Sequence, residues 1–177
     1  MTILGICGSL GRTSANGALL RAARARSPEG VQVVIDQLLA QLPYFNADLE
    51  SENTPVIATR WRHAVRSADA VLFATPEYAY EMPGVLKNGL DWIVGSGELT
   101  NKPVAVMSAS PSLTGGVRAQ IALVQTLGVL GALVIDSVVV PSVRQKLDER
   151  GELADLLTLA RIEATVEALA AANGGDD

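Results

Sequence analysis

Short apolar runs alternate with longer segments of helical period along most of this chain. Five of the runs are apolar at nearly every position, which predicts strands buried on both faces of a sheet. Polar residues, glycines and prolines separate the runs and mark the ends of elements. The predicted strands are Ile3–Cys7, Val31–Ile35, Ala70–Thr75, Pro103–Met107 and a segment within Leu133–Val140.

Helices are predicted between these strands. The first starts near Ala15 and ends near Arg26. The second follows Thr54-Pro55, a pair typical of an N-cap with proline at the first helical position. The other predicted helices start at Pro83-Gly84, at residues 114–116 and at Glu152, and the last of these ends at Ala172.

Two segments lack a clear period. Leu42–Asn53 is predicted to be a long surface loop, and residues 173–177 are predicted to be a disordered tail. No internal repeat or linker divides the rest, so residues 1–172 are expected to form a single domain.

The alternation of buried strands and helices predicts an α/β fold. Right-handed crossovers would place the helices on both faces of a parallel sheet, giving a three-layer sandwich. The five strands, with a phosphate-type loop after the first, favour the flavodoxin-like order 2-1-3-4-5. Ligands of such sheets bind at the carboxyl ends of the strands, which here points to residues 8–16, 76–83 and 108–116.

Composition narrows the range of partners. The net charge of −5 argues against a nucleic-acid partner, and no apolar run approaches the length of a membrane span. The single cysteine, Cys7, and a start without a signal-peptide pattern favour a cytoplasmic protein. No metal site is expected, because His63 has no cysteine, histidine or paired carboxylate near it in the sequence.

The segment after the first strand predicts an anion site. Unpaired N–H groups at a helix N-terminus attract negative charge, and Arg12 adds a positive side chain. Neither G-x-G-x-x-G nor a P-loop motif is present. Ordinary helix capping by Ser14 and Asn16 remains an alternative, as does a tyrosine-phosphatase-like cradle. The cradle needs five residues between cysteine and arginine, whereas four separate Cys7 from Arg12.

Three segments together resemble a known family. Pro76-Glu77-Tyr78, followed by Pro-Gly-x-Leu-Lys-Asn-x-x-Asp-Trp over residues 83–92, resembles the NADPH-dependent FMN reductases, which include chromate/quinone reductases and flavodoxin-like azoreductases. Gly8–Asn16 resembles that family's Gly-Ser-Leu-Arg-x-x-Ser-x-Asn. Residues 108–120 resemble its Ser-x-x…Gly-Gly-x-Arg-Ala-Gln segment.

The resemblance implies an FMN site at the three loops. The phosphate would lie on the first loop and the flavin ring between the second and third. The implied cofactor-binding residues are Ser9, Arg12, Ser14, Ala15, Asn16, Pro76, Glu77, Tyr78, Ala79, Ser108, Ser110 and Gly115. The flavin carries the redox chemistry, so no catalytic side chain is required.

Some positions depart from the family pattern. The family arginine of the first motif is replaced by Gly11, with Arg12 one residue later, and the asparagine after Pro-Glu-Tyr is Ala79. Tyr80 and Glu81 replace small residues, so they are expected to contact the substrate, and the carboxylate would repel anionic acceptors. Arg118 is expected to contact either the substrate, through the NADPH phosphate, or a neighbouring subunit, and a structural role is the alternative.

The resemblance implies an FMN-dependent oxidoreductase. Hydride would pass from NADPH or NADH through FMN N5 to a quinone, azo, metal-oxyanion or flavin acceptor by a ping-pong mechanism. The alternative is a flavodoxin-like electron carrier or redox sensor without NAD(P)H turnover. A homodimer or homotetramer is implied, and the residues Lys87, Asn88, Asp91 and Trp92 of the second motif are expected to be structural.

Overall fold

The computed structural model describes residues 1–173 and is built around a five-stranded, all-parallel sheet. The strands are β1 (Thr2–Cys7), β2 (Gln32–Ile35), β3 (Ala70–Thr75), β4 (Pro103–Ala109) and β5 (Leu133–Val140). Their order in the sheet is β2-β1-β3-β4-β5, as the sequence predicts.

Helices cover both faces of the sheet and complete the three-layer, flavodoxin-like fold. The helices are α1 (Ala15–Ala25), α2 (Ala47–Glu52), α3 (Val56–Ser67), α4 (Gly84–Val94), α5 (Val117–Val129) and α6 (Leu156–Asn173). On one face α1 and α6 bury Leu19, Leu20 and Ile162 against the sheet. On the other face α3, α4 and α5 pack on the sheet, with Trp61 and Leu123 buried.

Burial differs between central and edge strands. Every residue of β3 and β4 is buried, which agrees with their uniformly apolar sequences. In β5, by contrast, only Val138 and Val140 are buried, and Ile135 is 40% exposed. In β2 only Val33 is buried. The expectation that all strands are buried on both faces is therefore wrong for β2 and β5, because these two strands form the open edges of the sheet.

Two local predictions need correction. Residues 47–52 form α2 instead of a loop, because Asn46 caps the helix through a 2.8 Å bond from Asp48 N. Since α2 buries no residue, it lacks the apolar period that would have predicted it. Thr54 does not cap α3, since its hydroxyl donates to Glu50 O and Pro55 is the N-cap.

At the C-terminal end, α6 extends through Asn173, one residue into the predicted tail. The rest of that predicted tail, residues 174–177, lies outside the described residues. Within residues 1–173, no helix is both long and apolar enough to cross a membrane.

Candidate functional site

Three loops lie side by side at the carboxyl edge of the sheet, because β1, β3 and β4 are neighbours in it. We call residues 8–14 loop 1, residues 76–83 loop 2 and residues 110–116 loop 3. Loop 1 starts in direct contact with β3, since Gly8 N donates to Ala74 O at 2.9 Å. The fold thus brings together the three segments that the sequence singled out.

Loop 1 leads into α1 and presents a positive side chain. The hydroxyl oxygen of Ser14 caps the helix by accepting from Gly17 N at 3.2 Å. Arg12 is exposed at the tip of the loop and forms no ion pair within residues 1–173. Ala15 begins the helix, where backbone N–H groups have no intrahelical acceptor. Capping by Ser14 and an anion site are therefore compatible.

A cleft of about 330 Å³ lies beside loop 1, on the side toward β2. From loop 1 and the adjoining ends of β1 and α1, the residues that line it are Cys7, Ser9, Leu10, Gly11, Arg12, Ser14 and Gly17. The opposite wall is formed by the end of β2 and the turn after it. The cleft is large enough for a phosphate and part of the group attached to it.

Asp36 lines the same cleft and was missed by the sequence analysis. Its two carboxylate oxygens accept from Leu38 N and Leu39 N, each at 2.9 Å. Burial raises the pKa of Asp36, although these backbone hydrogen bonds act in the opposite direction. Its position directly after β2, at the ligand-binding edge of the sheet, is the sequence signal that could have identified it.

The environment of Cys7 does not favour a phosphatase-like nucleophile. Its Sγ lies 4.0 Å from the Ser14 hydroxyl, and burial raises the pKa of the thiol. A cysteine nucleophile needs the opposite shift, because the thiolate is the reactive form. Cys7 is therefore best described as a partly buried packing residue at the end of β1.

Asn16 belongs to the predicted phosphate-binding set but is directed elsewhere. Its side chain is buried, and its amide nitrogen donates to Ala109 O at 3.0 Å. The amide oxygen accepts from Ala109 N, also at 3.0 Å. Asn16 thus connects α1 to the end of β4, and its side chain is directed toward that strand.

Loop 2 contains a tight turn with an unusual backbone. Tyr78 and Glu81 exchange two backbone hydrogen bonds of 3.0 Å. Between them, Ala79 and Tyr80 both have positive φ values, of 51° and 67°. This is the pattern of a type I′ turn, which favours asparagine and glycine. The turn projects the exposed Tyr78 and Tyr80 rings outward, while the preceding Pro76 is buried.

Glu77 and Arg118 join loop 2 to α5. The Glu77 carboxylate accepts from Arg118 N at 3.0 Å. The guanidinium of Arg118 lies over the Tyr80 ring, 4.1 Å from its centroid. The structure therefore brings together the predicted substrate contacts Tyr80 and Arg118, whereas Glu81 lies at the exposed rim of the same loop.

Loop 3 is rich in hydroxyl groups. Ser110 Oγ and Ser112 Oγ are 3.0 Å apart, and Ser112 Oγ is 2.9 Å from Thr114 Oγ1. Ser108, at the end of β4, is fully buried, and within residues 1–173 its hydroxyl has no hydrogen-bond partner. Such a group is costly to bury, by about 1–3 kcal/mol, so a polar ligand atom near it would be stabilising.

Glycine is required where loop 3 turns into α5. Gly115 and Gly116 have φ values of 62° and 87°. A Cβ on Gly115 would lie 2.9 Å from Pro141 N, a contact that real Cβ atoms essentially never make. The predicted cofactor contact of Gly115 therefore involves its backbone, which is buried against the end of β5.

The motif residues on α4 have the structural role expected of them. Asn88 and Trp92 both donate to Pro43 O, at 3.0 Å and 2.9 Å, and Asn88 also accepts from Phe45 N at 2.7 Å. Lys87 and Asp91 form an ion pair of 2.5 Å along the helix. Asn88 and Trp92 thus fix the segment before α2, and the pair of Lys87 and Asp91 stabilises α4.

Comparison with known proteins places the chain in a family. The family model described as NADPH-dependent FMN reductase matches residues 1–145. The chain belongs to the NADPH-dependent FMN reductase family. It is therefore an oxidoreductase of the type expected from the three motifs, and the expectation of FMN with NAD(P)H as electron donor is confirmed at the level of the family.

Relatives of similar length agree with this assignment. The chain is 37% identical over 171 residues to an NAD(P)H-dependent FMN reductase of Pseudomonas aeruginosa, covering 94% of this chain and 92% of that protein. It is 31% identical over 174 residues to a quinone reductase of Escherichia coli, covering 95% and 93%. Among solved structures, the NAD(P)H:(acceptor) oxidoreductase FerB of Paracoccus denitrificans superposes with a TM-score of 0.86 at 26% identity, covering 97% and 96%.

The described residues fit an FMN reductase. Loop 1 offers a guanidinium and helix N–H groups to a phosphate, and the end of β4 offers a buried hydroxyl without a partner. Loops 2 and 3 supply backbone groups and exposed hydroxyls on the adjoining part of the edge. Anion-binding groups and neutral polar groups thus both occur at this edge of the sheet, which is the donor set that a cofactor with a phosphate and a polar ring needs.

Proposed function

We propose that this chain holds FMN across loops 1, 2 and 3 and uses it to oxidise NADPH or NADH and reduce a small neutral quinone. When bound, FMN accepts a hydride from NAD(P)H and passes the electrons to the second substrate, so donor and acceptor use the site in turn. The main support for the proposal is that three loops with different chemical groups meet at one edge of the sheet. Loop 1 supplies a guanidinium, loop 2 exposed aromatic rings and loop 3 hydroxyl groups.

Loop 1 and the start of α1 are proposed to bind the phosphate. Arg12 would supply charge-assisted hydrogen bonds, while Ser9, Ser14 and the N–H of Ala15 would supply neutral donors. Asn16 would act indirectly, because its amide is bonded to Ala109. It would hold the end of β4, and therefore the start of loop 3, at a fixed distance from α1.

Loops 2 and 3 are proposed to bind the ring. The backbone of residues 76–79 would supply polar groups to one edge, and Ser108, Ser110 and the Gly115 backbone would supply them to the other. The protein contributes no acid, base or nucleophile in this scheme. Its residues bind, orient and limit access to the reactive face.

Negative charge at the rim of the site favours a neutral quinone as the electron acceptor. Glu81 is exposed on loop 2 beside Tyr80, and the chain carries a net charge of −5. Like charges repel, so an anionic acceptor such as chromate would be disfavoured at this rim. The similarity to a quinone reductase supports the same choice. Replacing Glu81 with glutamine should narrow the difference between quinone and chromate rates.

The proposed function is tested with purified protein loaded with FMN under anaerobic conditions. NADPH or NADH should bleach the visible flavin band, and a quinone should restore it. FMN binding without bleaching would indicate an electron carrier instead. Failure of the protein to bind FMN would contradict both functions.

We further propose that the chain forms a homodimer through α4 and α5. Val94 and Val129 are 52% and 82% exposed, and a groove of about 510 Å³ lies between these helices beside Glu81 and Met82. A second copy covering this face would bury apolar surface next to the rim of the site. V129D should lower the molar mass measured by light scattering. L157D, at an 83% exposed position on α6, is the matched control and should not.

A further inference from the structure

Helix α5 begins without a cap of its own. The residue before its first turn is Gly116, which has no side chain and a φ of 87°. The first N–H groups of a helix need acceptors from outside it. In α5 the acceptor comes from a loop 41 residues earlier: Glu77 Oε2 accepts from Arg118 N at 3.0 Å and from Ala119 N at 3.4 Å.

Loops 2 and 3 pack closely together where the Glu77 carboxylate reaches the first turn of α5. A Cβ on Gly116 would lie 3.6 Å from Glu77 Cβ and 3.4 Å from Ser108 Cβ. The Glu77 side chain therefore crosses directly beside Gly116 and above the end of β4. These distances are ordinary van der Waals contacts, so residue 116 needs to be glycine because of its φ of 87° and not for lack of space.

Arg118 adds a second link in the same place. Its backbone N–H is bonded to Glu77, and its guanidinium stacks on Tyr80 of the same loop. The negative carboxylate lies at the positive end of the α5 dipole, where it is stabilising. Loop 2 and the start of α5 are thus connected by a charged cap and a cation–π contact.

We propose that the Glu77 side chain is a positioning residue that sets the separation between loops 2 and 3. It does so through α5 and not by touching the cofactor. This inference rests on the proposed function, in which the flavin ring lies between those two loops. Without the cap, the first turn of α5 would loosen, loop 3 would move relative to loop 2, and the ring would be held less tightly.

Three substitutions at one position separate geometry from charge. E77A removes the acceptor and should raise the Kd for FMN about tenfold, the effect of losing one helix cap. E77Q keeps an acceptor oxygen at the same reach and should restore the Kd to within about threefold of the wild-type value. E77D keeps the charge but is one bond too short, so it should resemble E77A.

The Kd for FMN of each variant is measured by titration, and two further measurements accompany it. Amide hydrogen exchange at Arg118 and Ala119 in the FMN-free protein should be faster in E77A and E77D and unchanged in E77Q. The visible band of bound flavin should shift in the same two variants. N46A is the matched control, because Asn46 caps α2 through Asp48 N at 2.8 Å and belongs to none of the three loops. It should lower the Tm and leave the Kd for FMN unchanged.

The outcomes distinguish this inference from the proposed function. Faster exchange in E77A with wild-type FMN affinity and spectrum would overturn the inference and leave the proposed function intact. Wild-type exchange in E77A would overturn it as well. If the wild-type protein does not bind FMN, the proposed function fails and the inference fails with it. If E77A does not fold, the contrast between E77D and E77Q decides.

Discussion

Asn16 and Ala109 hold each other through two hydrogen bonds of 3.0 Å although 93 residues separate them in the chain. One amide side chain satisfies both backbone groups of a residue at the end of β4. Because Asn16 lies at the start of α1, the pair links loop 1 to loop 3 across the sheet. It makes the two ends of the proposed cofactor site a single unit.

Removing this amide should destabilise the protein. N16A leaves the buried N–H and C=O of Ala109 without partners, and we expect a loss of about 2–4 kcal/mol in the free energy of unfolding. Urea denaturation of N16A and of the wild type measures this loss. N46A is the control, because the exposed Asn46 caps only the short α2 and should cost about 1 kcal/mol or less. Equal effects of the two substitutions would contradict the proposed importance of the link.

The turn in loop 2 should be improved by residues that accept positive φ. Ala79 has a φ of 51°, a region that costs most L-residues about 1–2 kcal/mol and that asparagine and glycine tolerate better. A79N and A79G should therefore raise the Tm, and A79N should also tighten FMN by stiffening the loop. A79V should lower the Tm, since β-branched residues suit this conformation least. A ranking with A79V above A79N would refute this account.

Arg12 should contribute to binding of the FMN phosphate and not to binding of the flavin ring. R12A removes a charge-assisted contact, and we expect the Kd for FMN to rise about tenfold or more. The Kd for riboflavin, which lacks the phosphate, should change little. R60A removes the same charge from an exposed position on α3 and should leave both constants unchanged. An equal loss for FMN and riboflavin would place Arg12 away from the phosphate.

The contribution of Asp155 to the free energy of unfolding should be lost in acid. Hydrogen bonds from the Thr158 hydroxyl, Lys146 and Thr158 N lower the pKa of Asp155 to about 2. A carboxyl whose pKa is lower in the folded state stabilises above its unfolded pKa of about 3.9. That contribution is lost as the pH falls from about 4 to about 2. In D155N, which cannot titrate, the free energy of unfolding should vary less with pH across this window than in the wild type.

The sequence by itself determined the fold and the position of the candidate site along the chain. Uniformly apolar runs identified β1, β3 and β4, and the fifth strand was predicted within Leu133–Val140, the bounds that the structure gives β5. Loops that follow buried parallel strands must lie at the same edge of the sheet, so their convergence followed from the same pattern. These features depend on local periodicity and strand order, which a single sequence records.

The tertiary structure decided which side chains face the ligand edge and which hold it together. Asn16 and Glu77 both stand in motifs that predict cofactor contacts, yet their side chains bind the backbone of Ala109 and of α5. Periodicity cannot reveal this, because such hydrogen bonds join groups 93 and 41 residues apart and form only when the strands bring those groups within about 3 Å. The identity of the motif residues is a property of the sequence, whereas the direction of their side chains is a property of the packed fold.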